Sequence, residues 1–336
     1  MEYYFKEKFS EGYWNFIKNK ENLDWYHLSR NQNILLKIYE NNRDKDWNVR
    51  GLSYNQNITF TFVNNNLNLK WDWSGLSQNL NILNDNLLEN YYFLWRYDIL
   101  SQNPNITWKI VQDNLNSKYW CFKNMSKNKN ITWDIISKNK SLPWSYKNFS
   151  INQNLTWSIV ENNKDKNWCW YYISKNKNIT PDIIINNINE NWDWWGLSEN
   201  ENVTLELINK YKYEKWNWSL LSKNSAIKIE DIENNINENW DWFNISLNKN
   251  ISFDFVKKYG NKKDVSWFNI SRNPNISWEV MKNNSEYPWV WSAVCRNNME
   301  EAKKKYIKRE INVFIYKILS NFGLPVDVTK FICELI

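Results

Sequence analysis

The residues able to do acid–base, nucleophilic or metal chemistry are few and poorly spaced for it. His27 is the single histidine, so any imidazole base or imidazole metal ligand would have to be this one residue. It falls inside a short helical segment, where packing is the simpler role. The four cysteines, Cys121, Cys169, Cys295 and Cys333, do not form a metal-binding spacing. Cys121 and Cys169 share one repeat position two copies apart, too far for a disulfide, and such usage suits a reducing compartment. No glycine-rich phosphate loop occurs, and the acidic side chains sit mostly at helix starts, where they satisfy free N–H groups. These residues predict no enzyme: no catalytic residue, no cofactor, no metal and no small-molecule ligand.

Amides and cations remain. Asparagine recurs at Asn31, Asn55, Asn79, Asn103, Asn128, Asn152, Asn176, Asn200, Asn224, Asn248, Asn273 and Asn297 without a break. A ladder of amides could read the backbone of a bound peptide. It could equally close the loop between two helices by bonding to main chain, and the structural role is favoured because the column persists into the terminal copy. Beside it stands a basic edge of Arg30, Lys127, Lys129, Lys175, Lys177, Lys223, Lys249, Arg272 and Arg296. With a net charge of +6 this row could bind phosphates or an acidic partner, although Glu199 and Glu201 interrupt it and a solvated loop edge is the plainer reading.

The element that must position these groups is a repeat of 24 to 25 residues. The serine two places before each asparagine marks it, at Ser29, Ser53, Ser77, Ser101, Ser126, Ser150, Ser174, Ser198, Ser222, Ser246 and Ser271, with Cys295 in the twelfth place. Each copy holds two helix starts. In "NITW" the threonine (Thr107, Thr132, Thr156, Thr180) is an N-cap, followed by Trp108, Trp133, Trp157 or Pro181 at the first helical position. Apolar pairs such as Ile106 with Val111, Ile131 with Ile136 and Leu155 with Val160 form hydrophobic staples across the cap. This helix is expected to end at an asparagine (Asn42, Asn66, Asn90, Asn114, Asn139, Asn163, Asn187, Asn235, Asn284) in a left-handed turn. In "WDWxxLS", Asp72, Asp193 and Asp241 cap a second element of about one turn, α or 3₁₀. A helix so short needs neighbouring copies to hold it.

There are 24 tryptophans, and nearly all fall in three columns. One precedes the second cap (Trp47, Trp71, Trp95, Trp120, Trp144, Trp168, Trp192, Trp216, Trp240, Trp289), one lies two residues on, and one opens the first helix; Trp14 and Trp195 stand outside. A stacking platform for single-stranded nucleic acid is one reading. Packing between repeats is the favoured one, since a unit this small has little else from which to build a core.

The expected fold is all-α: a right-handed α-solenoid of about twelve two-helix repeats, divided into an N-terminal capping half-repeat over 1–21, the repeat array over 22–297 and a C-terminal helical cap over 298–336. Apolar residues from Met299 to Asn321 have helical spacing, and Val328, Phe331, Ile332 and Leu335 form a second stripe. No apolar leader follows Met1 and no run approaches a membrane span, so a cytoplasmic, non-secreted chain is expected. The Asn-X-Ser/Thr sequences at Asn57, Asn105, Asn130, Asn178 and Asn250 are then loop plus N-cap rather than glycosylation sites.

The "LSxNPNITWxIV" unit resembles the leucine-rich variant repeat, an all-helical solenoid that alternates α and 3₁₀ helices, with the tryptophan columns as a departure from it. The wording "NITWDIISKN…PWSY" also resembles Trp- and Asn-rich repeat proteins of nucleocytoplasmic large DNA viruses of protists, which implies an interaction scaffold in a host cytoplasm and no catalytic residue. The tail "LPVDVTKFICEL" is similar to the opening of an F-box through Leu324, Pro325, Asp327, Val328, Ile332 and Leu335. That resemblance implies a Skp-type adaptor as partner and delivery of host proteins to a cullin ubiquitin ligase; a capping helical hairpin is the competing and favoured reading. The leading functional expectation is a scaffold binding a protein partner along an extended face, with the adaptor role and nucleic-acid binding through the basic edge as alternatives.

Overall fold

A computed structural model describes residues 1–82, 94–113, 119–260 and 264–321. Asn90, Asn114, Cys333 and the six F-box-like positions from Leu324 to Leu335 lie outside the described residues. Within them the chain forms twenty-four helices and no strand.

Both helix starts read from the sequence are present. Thr59, Thr107, Thr132, Thr156, Thr180 and Thr204 each accept the N–H three residues on, at 3.2–3.5 Å, and open a leading helix such as Trp133–Lys138 or Pro181–Asn186. The staple residues Ile106, Val111, Ile131, Ile136, Leu155 and Val160 are all buried. Asp24, Asn48, Asp72, Asp193, Asn217 and Asp241 cap trailing helices of four to six residues, among them Trp73–Gln78 and Trp242–Ile245. These are α-helical, not 3₁₀.

The leading helices do not end in left-handed turns. Asn66, Asn139, Asn187, Asn235 and Asn284 have φ between −123° and −135°. Asparagine is used there for its amide, which donates to the carbonyl four residues back, at 2.7–2.9 Å for Asn42, Asn66, Asn139, Asn163, Asn187, Asn235 and Asn284. Its own carbonyl then accepts the indole N–H of the tryptophan five residues on. Eight such bonds measure 2.7–3.0 Å, from Trp47 to Trp289, with Tyr211 in the asparagine place at Trp216. Each ring thus has its one polar atom satisfied and is free to be buried.

Those rings join one copy to the next. Trp25 stands edge-on to Trp47, Trp73 to Trp95, Phe122 to Trp144, Trp170 to Trp192, Trp194 to Trp216, Trp218 to Trp240 and Trp267 to Trp289. Their centroids lie 5.0–5.6 Å apart and their planes cross at 73–89°, the arrangement a ring quadrupole favours. The tryptophan that opens a leading helix packs on the same indole from the other side, as Trp157 does on Trp192 at 5.3 Å. Neighbouring trailing helices meet so closely that a Cβ on Gly51 would lie 2.3 Å from the Tyr26 carbonyl oxygen, and one on Gly196 2.4 Å from that of Tyr171.

The asparagine column lies inside this packing, and its bonds run between copies. Every one of the twelve accepts, through Oδ1, the N–H two residues on, at 2.8–3.0 Å. Its Nδ2 reaches back to main-chain carbonyls of the preceding copy: Asn55 to Ser29, Asn31 and Ile34 at 2.9–3.1 Å, Asn152 to Ser126, Asn128 and Ile131 at 2.9–3.2 Å. The marker serines work in the forward direction. Each of the eleven accepts the main-chain N–H of the cap residue 19 or 20 positions on, at 2.9–3.1 Å.

The ladder has no free end. Asn31, in the first copy, donates to the carbonyls of Cys295 and Asn297 in the last, both at 2.9 Å. Cys295, in the twelfth serine place, receives the N–H of the cap residue Asp24. Asn33 donates to the Asn298 carbonyl at 2.9 Å, as Asn57 does to that of Gln32. The sequence suggests exposed ends closed by caps; in the structure the two ends meet by the same bonds that join any two neighbours.

Two long helices flank this seam. Glu2–Ile17 is one 16-residue helix, yet it does the work of a leading helix: its Trp14 stacks on Trp47 at 5.3 Å, the place Trp157 takes on Trp192. Phe16 packs edge-on to Trp291 at 5.7 Å, Tyr13 Oη donates to the Val294 carbonyl at 3.3 Å, and a Cβ on Gly12 would lie 2.4 Å from Trp278 Cζ2. The second, Glu300–Asn321, begins right after the last copy. The Ala302 N–H bonds the Pro274 carbonyl at 3.0 Å, and Arg309 pairs with Glu279 at 3.3 Å.

Candidate interaction surface

After each marker serine the chain alternates inward and outward. The asparagine two places on is buried, so the residues one and three places on face the other way. Arg30, Lys127, Lys129, Lys177, Lys223, Lys249, Arg272 and Arg296 are exposed and Lys175 is half-buried. Two of the nine are neutralised: Lys175 by Glu199, and Arg296 by Asp24 at 3.2 Å. Arg30 lies over the Tyr54 ring, 4.8 Å from its centroid, and Arg296 over Phe268 at 5.7 Å. Lys127, Lys129, Lys177, Lys223, Lys249 and Arg272 form no ion pair among the described residues.

The unpaired cations do not stand alone. Lys175, Glu199, Glu201, Lys223, Leu247 and Lys249 line one shallow depression of about 440 Å³. Burial by itself would raise the Glu199 carboxyl, but Lys175, the Tyr171 hydroxyl and the charge of Lys223 outweigh it and hold it below the usual carboxylate range. The position three before the marker serine adds aromatic area: Trp195 is 58% exposed and Phe243 56%. Trp195, one of the two tryptophans outside the three columns, is the one that faces water; the other, Trp14, is buried. The tryptophans that precede the second cap are buried or half-buried, so they offer no open platform.

His27, Asp24 and Arg296 come together at the seam. Asp24 caps the helix Trp25–Arg30 through the His27 N–H at 3.1 Å, and its other oxygen meets His27 Nδ1 at 2.7 Å. Burial pushes the Asp24 carboxyl up, but the His27 main-chain and ring N–H groups and Arg296 prevail and hold it below its ordinary value. The role is capping and closure. Burial pushes the neighbouring Cys295 thiol up to about 12, which leaves no thiolate at neutral pH.

Sequence reasoning missed a second amide column, four residues past most markers, with Ala226 and Met299 as the exceptions. Asn57, Asn130, Asn154, Asn178, Asn202 and Asn250 each donate to two carbonyls of the preceding copy, at 2.6–3.1 Å. The signal is the second asparagine of each "NxN", as in NQNIT and NKNIT, where a loop followed by a cap is already a sufficient explanation. Among the described residues no group of three or more His, Cys, Asp or Glu is placed to hold a metal, and no helix is long and apolar enough to cross a membrane. Comparison with protein-family models, with curated proteins and with solved structures gives no match to this chain.

Proposed function

We propose that the chain is a non-enzymatic interaction scaffold, a right-handed α-solenoid of about twelve repeats joined end to end, which holds a protein partner against its outward loop face. What carries the reading is the composition of that face: exposed Trp195 and Phe243, three places before their marker serines, together with exposed Lys223 and Lys249, which form no ion pair among the described residues although Glu199 and Glu201 share their depression. Large aromatics and unpaired cations on a rigid support suit an acidic, partly apolar protein segment, because aromatic side chains dominate interface energetics and complementary charge steers encounter.

The test compares affinity capture by the wild-type chain and by a face variant carrying Trp195→Ala, Phe243→Ala and Lys223→Glu. All three sites are outside the buried ladder, so the variant folds. The proposal expects at least one protein recovered in stoichiometric amount by the wild type, after nuclease treatment, and lost from the variant. Recovery of the same proteins by both would overturn the face, and a wild type that retains only nuclease-sensitive material would assign the edge to nucleic acid instead.

A further inference from the structure

We propose that the cavity between the two long helices and the first loops is a binding site for a small amphipathic carboxylate, with its head on Lys303 and its chain along Ile307 and Ile311. This site lies away from the loop face and does not depend on that reading.

The cavity is about 650 Å³, within the range of sites for small molecules, roughly 300–1,000 Å³. Lys303, Ile307 and Ile311 line it from the helix Glu300–Asn321, and Gln32, Leu35 and Tyr3 from the other side. Positions 303, 307 and 311 are four apart, so they fall on one face of the helix and span about 12 Å along it. The order is one charge followed by two aliphatic groups. That matches an extended carboxylate of about ten carbons, head to tail.

Lys303 is the unusual member. Its ammonium donates to Asn33 Oδ1 at 3.0 Å and to Ser10 Oγ at 3.4 Å, both neutral, and its charge meets no carboxylate among the described residues. An ammonium has three donors, so one is left. The Phe9 ring lies 5.7 Å away. Burial, with Lys6 nearby, pulls the Lys303 ammonium down to about 8. At neutral pH it is still mostly charged, and a half-buried charge with no counter-ion opposes folding. Of the three carboxylates along the cavity, Glu2 pairs with Lys6 at 2.7 Å and Glu7 with Lys37 at 3.1 Å, while Glu300 forms no ion pair among the described residues and does not act on Lys303. An incoming carboxylate would supply the missing counter-charge, and Ile307, Ile311 and Leu35 an apolar bed for its chain.

The experiment is calorimetric titration of the full chain with decanoate, decanol and decylamine, each as monomer in solution, alongside thermal denaturation. Decanoate is expected to bind at least about tenfold more tightly than decanol, to exclude decylamine from any measurable binding, and to raise the melting temperature. Lys303→Gln keeps a donor toward Asn33 and removes the charge. It should fold at least as stably as the wild type and lose the preference for decanoate over decanol, whereas Lys303→Arg should keep it. Ile311→Glu should abolish binding of both. The proposal is overturned if decanoate fails to bind the folded wild type at millimolar concentration, if Lys303→Gln binds decanoate unchanged, or if decylamine binds more tightly than decanoate.

Discussion

At the scale of the residue, one asparagine per copy carries a share of the polar satisfaction out of proportion to its size. Asn152 is fully buried. It accepts one main-chain N–H and donates to three main-chain carbonyls of the copy before it. Asn152→Ala leaves that N–H and those carbonyls without their partner in a closed site, where each unmade bond costs about 1–3 kcal/mol. A loss of about 3 kcal/mol or more is expected by chemical denaturation. Asn152→Asp is expected to cost more, because a carboxylate can still accept the Asn154 N–H but turns an oxygen toward carbonyl oxygens. An Asp variant as stable as the wild type would show that the amide bonds between copies contribute little. This also explains why the column tolerates no substitute: no other side chain of this length presents both an acceptor and two donors.

At the scale of the element, helices of four to six residues hold because indole rings clamp them. Trp168 is buried, bonds the Asn163 carbonyl at 2.8 Å and receives the edge of Tyr146 at 5.7 Å. Trp168→Ala should cost about 3–5 kcal/mol, while Trp195→Ala, on an exposed ring, should change stability by less than about 0.5 kcal/mol; both are read by denaturant titration. Much at this scale was legible beforehand, because caps, staples and tryptophan spacing are local and repeat many times. Three things were not. The asparagine at the end of each leading helix was assigned by its tolerance of positive φ, whereas it is used for two hydrogen bonds that depend on a tryptophan five residues away. The second amide column was visible but had a sufficient local explanation. The long helix Glu2–Ile17 shows no repeat wording at all, because its partners, Trp47, Trp278 and Trp291, are spread over both ends of the chain.

At the scale of the molecule, the bond pattern at the seam is the bond pattern everywhere else, and nothing in a one-dimensional pattern says that copy twelve will find copy one. Closure depends instead on a few positions that are not repeated. Gly12 is the narrowest: an added methyl would collide with the Trp278 ring. Gly12→Ala is favoured by helix propensity, by about 1 kcal/mol, yet it should loosen the seam. Amide hydrogen exchange is expected to accelerate around Asn33, Asn297 and Asn298 and to stay unchanged around Asn152. Equal acceleration at both places would mean the seam is not a separate weak point, and slower exchange at the seam would mean the contact has room for the methyl.

The return of the ladder to its own beginning bears on how such a gene can drift. Tandem sequences gain and lose copies by slippage, and an open row absorbs the change at its tip. Here one copy more or fewer would alter the curvature demanded of every joint before Asn31 could again reach Cys295 and Asn297. Closure therefore constrains copy number in this chain as packing constrains a buried side chain.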